Sequence, residues 1–154
     1  MSKELREVIA DWLILFGALA LLVSLFLPWS HQFSRAFLAQ WAHSGVLRDF
    51  PRDPTAWQVY SVADVILALL AGGLIAVAAI GGRLPRLVAL AGSAIALAFA
   101  AHALSVPPTN GANLSVPGFV ANVPSSASGE VVAVAALGTA IVGLLLSFAA
   151  DLPS

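Results

Sequence analysis

PTAWQVYSVADVILALLAGGLIAVAAI, residues 54–80, decides how the rest of the chain is read. Thr55 followed three residues later by Gln58 has the form of a capping box, in which hydroxyl and amide each satisfy a backbone N–H that the first helical turn leaves free. A helix can therefore start near Ala56. Trp57 and Tyr60 fall in its first turn, and such rings favour a membrane–water boundary, where the ring is buried while its N–H or O–H stays wet. From Val62 to Ile80 the sole ionisable residue is Asp64. That length matches a bilayer core, which takes about 20 apolar residues as helix, so the stretch reads as a transmembrane span over 59–80.

Three further apolar runs match it, at 12–29, 87–106 and 131–150. Of the 154 residues, 60% are hydrophobic and 10% charged, against about 25% charged in an ordinary soluble domain. A soluble globule is excluded. What lies between the runs is too short and broken for a separate domain, so the expectation is an all-α, single-domain integral membrane four-helix bundle spanning 1–154. Two outer loops complete it, the first partly helical.

The remaining composition narrows the function. With no cysteine there is no disulfide, thiolate metal site or cysteine nucleophile. A net charge of −1 and no basic cluster leave no footprint for nucleic acid. His31 and His43 share a loop, but neither has a second ligand at helical spacing, and there is no HExxH, nucleophile elbow or phosphate-binding glycine loop. The expectation is no enzyme, no metal and no cofactor; a membrane enzyme using His31 or His43 is a remote third reading.

In chain order, Met1–Asp11 mixes both charge signs and supplies acidic residues to the start of the first helix, where its dipole favours them. The apolar run that follows ends in Leu27-Pro28-Trp29 without a small-residue cleavage pattern, so it reads as an uncleaved anchor. Trp12, Trp29, Trp41, Trp57 and Tyr60 are the candidate interfacial anchors. Phe33, Phe37 and Trp41 recur every four residues in the first loop, as an aromatic stripe on a short helix that lies on the membrane surface or covers the mouth of the bundle. Gly81-Gly82-Arg83-Leu84-Pro85-Arg86 is short enough to force spans two and three into an antiparallel hairpin. The second loop, 105–129, is proline-rich and uncharged, and Ser128 with Glu130 resembles the opening of span four.

Small residues at intervals of four let helix backbones approach closely, which in lipid is a main source of association. Ala68, Gly72 and Ala76 have that spacing in span two, Gly92, Ala96 and Ala100 in span three, and Gly143 belongs to a similar series in span four. These are the candidate packing faces. Lys3, Arg6, Arg83 and Arg86 lie near span ends on one side, against Arg35, Arg48 and Arg52 in a single loop on the other. The positive-inside rule then places both termini in the cytoplasm of a multi-pass cell-membrane protein.

Asp64 and His102 form the candidate intramembrane polar pair, since both lie near the outer ends of antiparallel spans and an ionisable group there calls for a partner. The local alternative has Ser61 and Asp64 serving nearby amides or water close to the surface, and that reading is preferred. Glu130 is the third polar group of interest.

With LFLPWS at 25–30, PTAWQVYSVADVILALLAG at 54–72 and GGRLPR at 81–86, the chain resembles the small, cysteine-free four-span membrane proteins of high-GC Gram-positive bacteria. The resemblance covers the whole length in layout and implies no catalytic residues. The layout is also similar to claudin-like tetraspans, whose paired cysteines and GLW-type motif are missing here. The leading expectation is an accessory or scaffolding subunit whose partners are the lipid bilayer and another membrane protein or itself. The alternative is a small proton- or cation-linked carrier or channel using Asp64 and His102.

Overall fold

The computed structural model describes residues 2–41, 43, 45, 47–48, 51–60, 62–108 and 122–150. Its long helices are α1 (Lys3–Ser24), α4 (Ala63–Ile80), α5 (Arg83–Ser105) and α6 (Ser128–Ala150). The short elements are β1 (Ser30–His31), α2 (Arg35–Trp41), α3 (Ala56–Val59) and β2 (Ser125–Ser126). All four long helices are long and apolar enough to cross a membrane, the shortest being about 27 Å at 1.5 Å per residue. Large apolar side chains point outward along them, with Leu69 71%, Ile80 84% and Ile95 74% exposed. Water would penalise such a surface and lipid does not, so this is an integral membrane four-helix bundle.

Each long helix differs at one end or both from the apolar run that predicts it, for local reasons, while α4 and α6 end at Ile80 and Ala150 as expected. α1 begins at Lys3, where the Ser2 hydroxyl accepts the Leu5 N–H at 3.3 Å, and ends at Ser24, well before Pro28. Tight turns over 25–27 close it. The capping residues at 55–58 do start a helix, and the Thr55 N–H donates to Gln58 Oε1 at 3.0 Å. That helix is α3 alone, however. The backbone is extended at Tyr60, and the spanning helix restarts at Ala63, so Trp57 and Tyr60 precede the span rather than lying in it.

α1 and α6 form the spine. At Gly17 an added Cβ would lie 2.7 Å from the Ala136 carbonyl oxygen, and at Gly143 it would lie 2.8 Å from that of Ala10. Only glycine lets the two backbones come this close. The Gly143 contact with Ala10 and Ile14 also fixes α6 antiparallel to α1. Arg86 donates to Asp11 at 3.0 Å, which brings the start of α5 to the start of α1. One end of the bundle therefore gathers the N-terminus, the turn at Gly81–Gly82 and the last turns of α6. The opposite end carries both long loops.

The buried face of α4 is Asp64, Leu67, Ala71, Leu74 and Val77. The small-residue series named for this span is displaced from it: Ala68 is half-buried, while Gly72 and Ala76 are exposed. In α5 the same expectation fares differently, with Ala96 and Ala100 buried and Gly92 half-buried against Leu70. Although joined by a two-residue turn, α4 and α5 touch each other far less than α4 touches α1 or α5 touches α6. The hairpin is splayed.

Candidate functional site at the loop end of the bundle

The loop end is organised by Pro28–Gln32, an extended piece clamped on both edges. On one edge the Trp29 N–H donates to the Pro54 carbonyl at 2.9 Å and the Gln32 N–H to that of Arg52 at 3.0 Å. On the other, β1 pairs antiparallel with β2 in the register Ser30 to Ser126 and His31 to Ser125. Side chains reinforce the ladder: Asn122, buried, accepts the Ser34 N–H at 3.0 Å and donates to the Gln32 carbonyl. The Gln32 amide reaches the Pro108 carbonyl at 2.9 Å. The first and second loops are thus sewn into one cap.

Beneath it lies an aromatic cluster. Trp29 is fully buried and its indole N–H donates to the Ser24 carbonyl at 2.8 Å, satisfying an acceptor that the end of α1 leaves open. Tyr60 meets the edge of Trp29 at 5.8 Å and of Phe99 at 5.3 Å between ring centroids. Trp29 is therefore an internal pillar, not the interfacial anchor its sequence position suggests. The loop folds back over it.

α6 starts against this pillar. The Gly129 N–H donates to the Pro28 carbonyl at 2.7 Å, and a side chain at Gly129 would collide with the Trp29 ring. The next residue, Glu130, is fully buried, and its carboxyl oxygens have no well-formed hydrogen bond among the described residues, the Ala127 backbone offering only a marginal one. Its closest electrostatic neighbours are the Ala127 amide and Tyr60. The Tyr60 phenol is raised above its ordinary value, by burial first and by the Glu130 charge second. A buried polar group without partners is expensive, so Glu130 is the most unusual side chain of the bundle. The sequence marks it as the third polar group of interest, in the opening turn of span four, without showing that it is buried.

Asp64 is buried in the first turn of α4, and its Oδ1 accepts the Val65 N–H at 2.8 Å. His102 is exposed on α5, and no hydrogen bond or ion pair joins it to Asp64. The Ser61 half of the local reading lies outside the described residues. Among the remaining anchors, Trp12 is exposed and stacks on Phe16 at 5.4 Å near the opposite end of the bundle. Trp57 is exposed beside Phe26 at 6.0 Å at the loop end. Both positions suit a membrane boundary.

The aromatic stripe forms a small cluster of its own at the loop end. Phe33 and Phe37 stack at 5.7 Å and are buried with Leu47 in a small core of their own, and Trp41 stacks on Phe37 at 6.3 Å. Above it, His31 Nδ1 lies 2.6 Å from Asp53 Oδ1. No group of three or more His, Asp or Glu side chains suited to a metal ion occurs among the described residues. Comparison of the chain with protein-family models, curated proteins and solved structures finds no match.

Proposed function

We propose that the protein is a non-enzymatic accessory or scaffolding subunit of a membrane complex, set in the cell membrane with both termini and the Gly81–Gly82 turn in the cytoplasm. The observation that carries the reading is on the outward face of α4. A Cβ added at Gly72 or Gly73 would meet nothing within 4 Å among the described residues. Internal packing therefore does not require these glycines, and each costs a helix about 0.8–1 kcal/mol relative to alanine. Together with exposed Ala76 they leave a shallow notch, the form that a second helix fills in lipid. On another side of the same helix, a cleft of about 370 Å³ between α4 and α5, lined by Ile66, Leu70, Gly92, Ile95 and Phe99 among others, is almost wholly apolar. The occupant proposed is a transmembrane helix of another membrane protein.

Gentle purification with cross-linking from a cysteine placed at Gly73 tests this. A reproducible partner helix, cross-linked there and lost when Gly72→Leu is added to the cysteine variant, is expected. A monodisperse monomer with no cross-link in the native membrane would overturn the reading. Labelling of a cysteine at Gly82 from outside intact cells would overturn the orientation.

The carrier reading has one observation in its favour, and it lies at Glu130 instead of the Asp64–His102 pair. A buried carboxyl without a well-formed hydrogen bond at the mouth of a membrane bundle is a group able to take up a proton or cation.

A further inference from the structure

The cap holds a second feature, separate from the α4 face. A pocket of about 460 Å³ opens between the start of α2, the residues before α3 and β2, and Arg35, Arg52, His31, Asp53, Phe33 and Leu38 supply most of its wall. Its size falls in the ordinary range of small-ligand sites, about 300–1,000 Å³.

The charges in this wall are not mutually satisfied. The Asp53 carboxylate is taken by His31 at 2.6 Å, and neither the Arg35 nor the Arg52 guanidinium has an ion-pair or hydrogen-bond partner among the described residues. Elsewhere in the chain, Arg86 is held by Asp11 and Lys3 by Glu7. Two exposed cations sharing one pocket repel each other. An oxyanion between them converts that repulsion into paired, charge-assisted hydrogen bonds, for which the planar guanidinium fork is suited. Ser34 adds a donor, since its Oγ accepts the Phe37 N–H at 3.2 Å and its own proton remains to be given. The rest of the wall differs in kind: buried Phe33 and half-buried Leu38 are apolar.

We propose that this pocket binds a phosphate group carried on an apolar body, with Arg35 and Arg52 gripping the phosphate and Phe33 and Leu38 receiving the apolar part. Phosphate fits better than carboxylate because two forks and a hydroxyl offer more donors than two carboxylate oxygens absorb. Such a group reaches the pocket either as the headgroup of an anionic lipid or as a small organic phosphate from solution.

The test uses the full chain in phosphatidylcholine nanodiscs, with phenyl phosphate as the soluble probe and phosphatidic acid, mixed into the discs, as the lipid probe. Binding is followed by calorimetry for the first and by native mass spectrometry for the second. Saturable phenyl phosphate binding supports a soluble ligand, and selective retention of phosphatidic acid over phosphatidylcholine supports a headgroup. In either case Arg35→Gln and Arg52→Gln should each weaken binding at least tenfold, and the double variant should abolish it. Arg83→Gln, at the opposite end, should leave binding unchanged. Both arginines are exposed, so these variants should fold; Arg35→Lys and Arg52→Lys, which keep the charge and lose the fork, should weaken binding less than the glutamines. Absence of binding by both probes, or binding undiminished in the double glutamine variant, overturns the proposal.

Discussion

Adding one methyl group at Gly143 and one at Gly73 should change stability in opposite directions. At Gly143 the new Cβ would stand 2.8 Å from the Ala10 carbonyl oxygen and 2.9 Å from both the Ile14 N and Cγ1. These are about 0.6 Å short of an ordinary van der Waals contact, and two of the three obstacles are backbone atoms of α1. The backbone has no rotamer by which to yield, so α1 and α6 must separate along their closest approach. Overpacking of this kind costs about 1–3 kcal/mol, whereas the better helix propensity of alanine returns about 0.8–1 kcal/mol. The expected net effect of Gly143→Ala is a loss of about 0–2 kcal/mol. Gly17→Ala, hemmed by the Ala136 carbonyl and by Ala140, should behave alike. At Gly73 nothing stands in the way, so only the propensity gain remains. The assay is thermal unfolding of the purified protein in a mild detergent, where about 1 kcal/mol corresponds to about 2–4 °C for a chain of this length. Gly143→Ala should melt below wild type and Gly73→Ala above it. A Gly143→Ala variant that melts higher than Gly73→Ala would refute the account of α1 and α6 as a glycine-dependent spine.

Asn122→Ala should cost about 1–3 kcal/mol, because it leaves the Gln32 carbonyl and the Ser34 N–H without their shared partner inside the cap; limited proteolysis of the two loops in wild type and variant gives the comparison. Asp64→Asn keeps an acceptor for the Val65 N–H at nearly the same volume, so it should assemble normally, and a loss of ion flux in reconstituted vesicles would instead give Asp64 a transport role. Glu130→Gln removes a carboxyl that makes no well-formed hydrogen bond and keeps an oxygen for the marginal one from Ala127, so it should melt no lower than wild type. Marked destabilisation would show that its oxygens are engaged after all, while flux lost without destabilisation would favour the carrier reading.

The long helices were legible in the sequence because hydropathy over about 20 residues reports a solvent, not a contact. Which face of each helix turns inward depends on neighbours that hydropathy does not see. In α4 the spacing of Ala68, Gly72 and Ala76 is as regular as that of Leu67, Ala71 and Leu74, but it is the second series that is buried. Trp29 illustrates a different limit. Its position after Leu27-Pro28 is that of an interfacial anchor, and it becomes a core residue because Pro54 and β2 clamp the backbone on either side of it. One clamp is the pairing of Ser-His with Ser-Ser, two-residue strands too short and too polar to show any alternation, and the other is a single backbone bond to Pro54. Glu130 had one signal that sequence reading passed over. Gly129 precedes it in the first turn of a helix, where a glycine serves a close approach, here to Trp29.

The splayed hairpin links the packing to the proposed association. A turn as short as Gly81–Gly82 ordinarily presses consecutive helices together, but both glycines adopt positive φ, 74° and 99°, a region that suits glycine and few other residues. The chain thereby leaves α4 and enters α5 along diverging paths. α4 is held by α1 and α5 by α6, so the spine, not the hairpin, fixes the distance between them. The α4–α5 cleft is then a consequence of two separate tight packings and does not require a ligand to prop it open. A bundle built in this way keeps an apolar groove on one side of α4, and the open Cβ positions at Gly72–Gly73 give the same helix a second exposed surface.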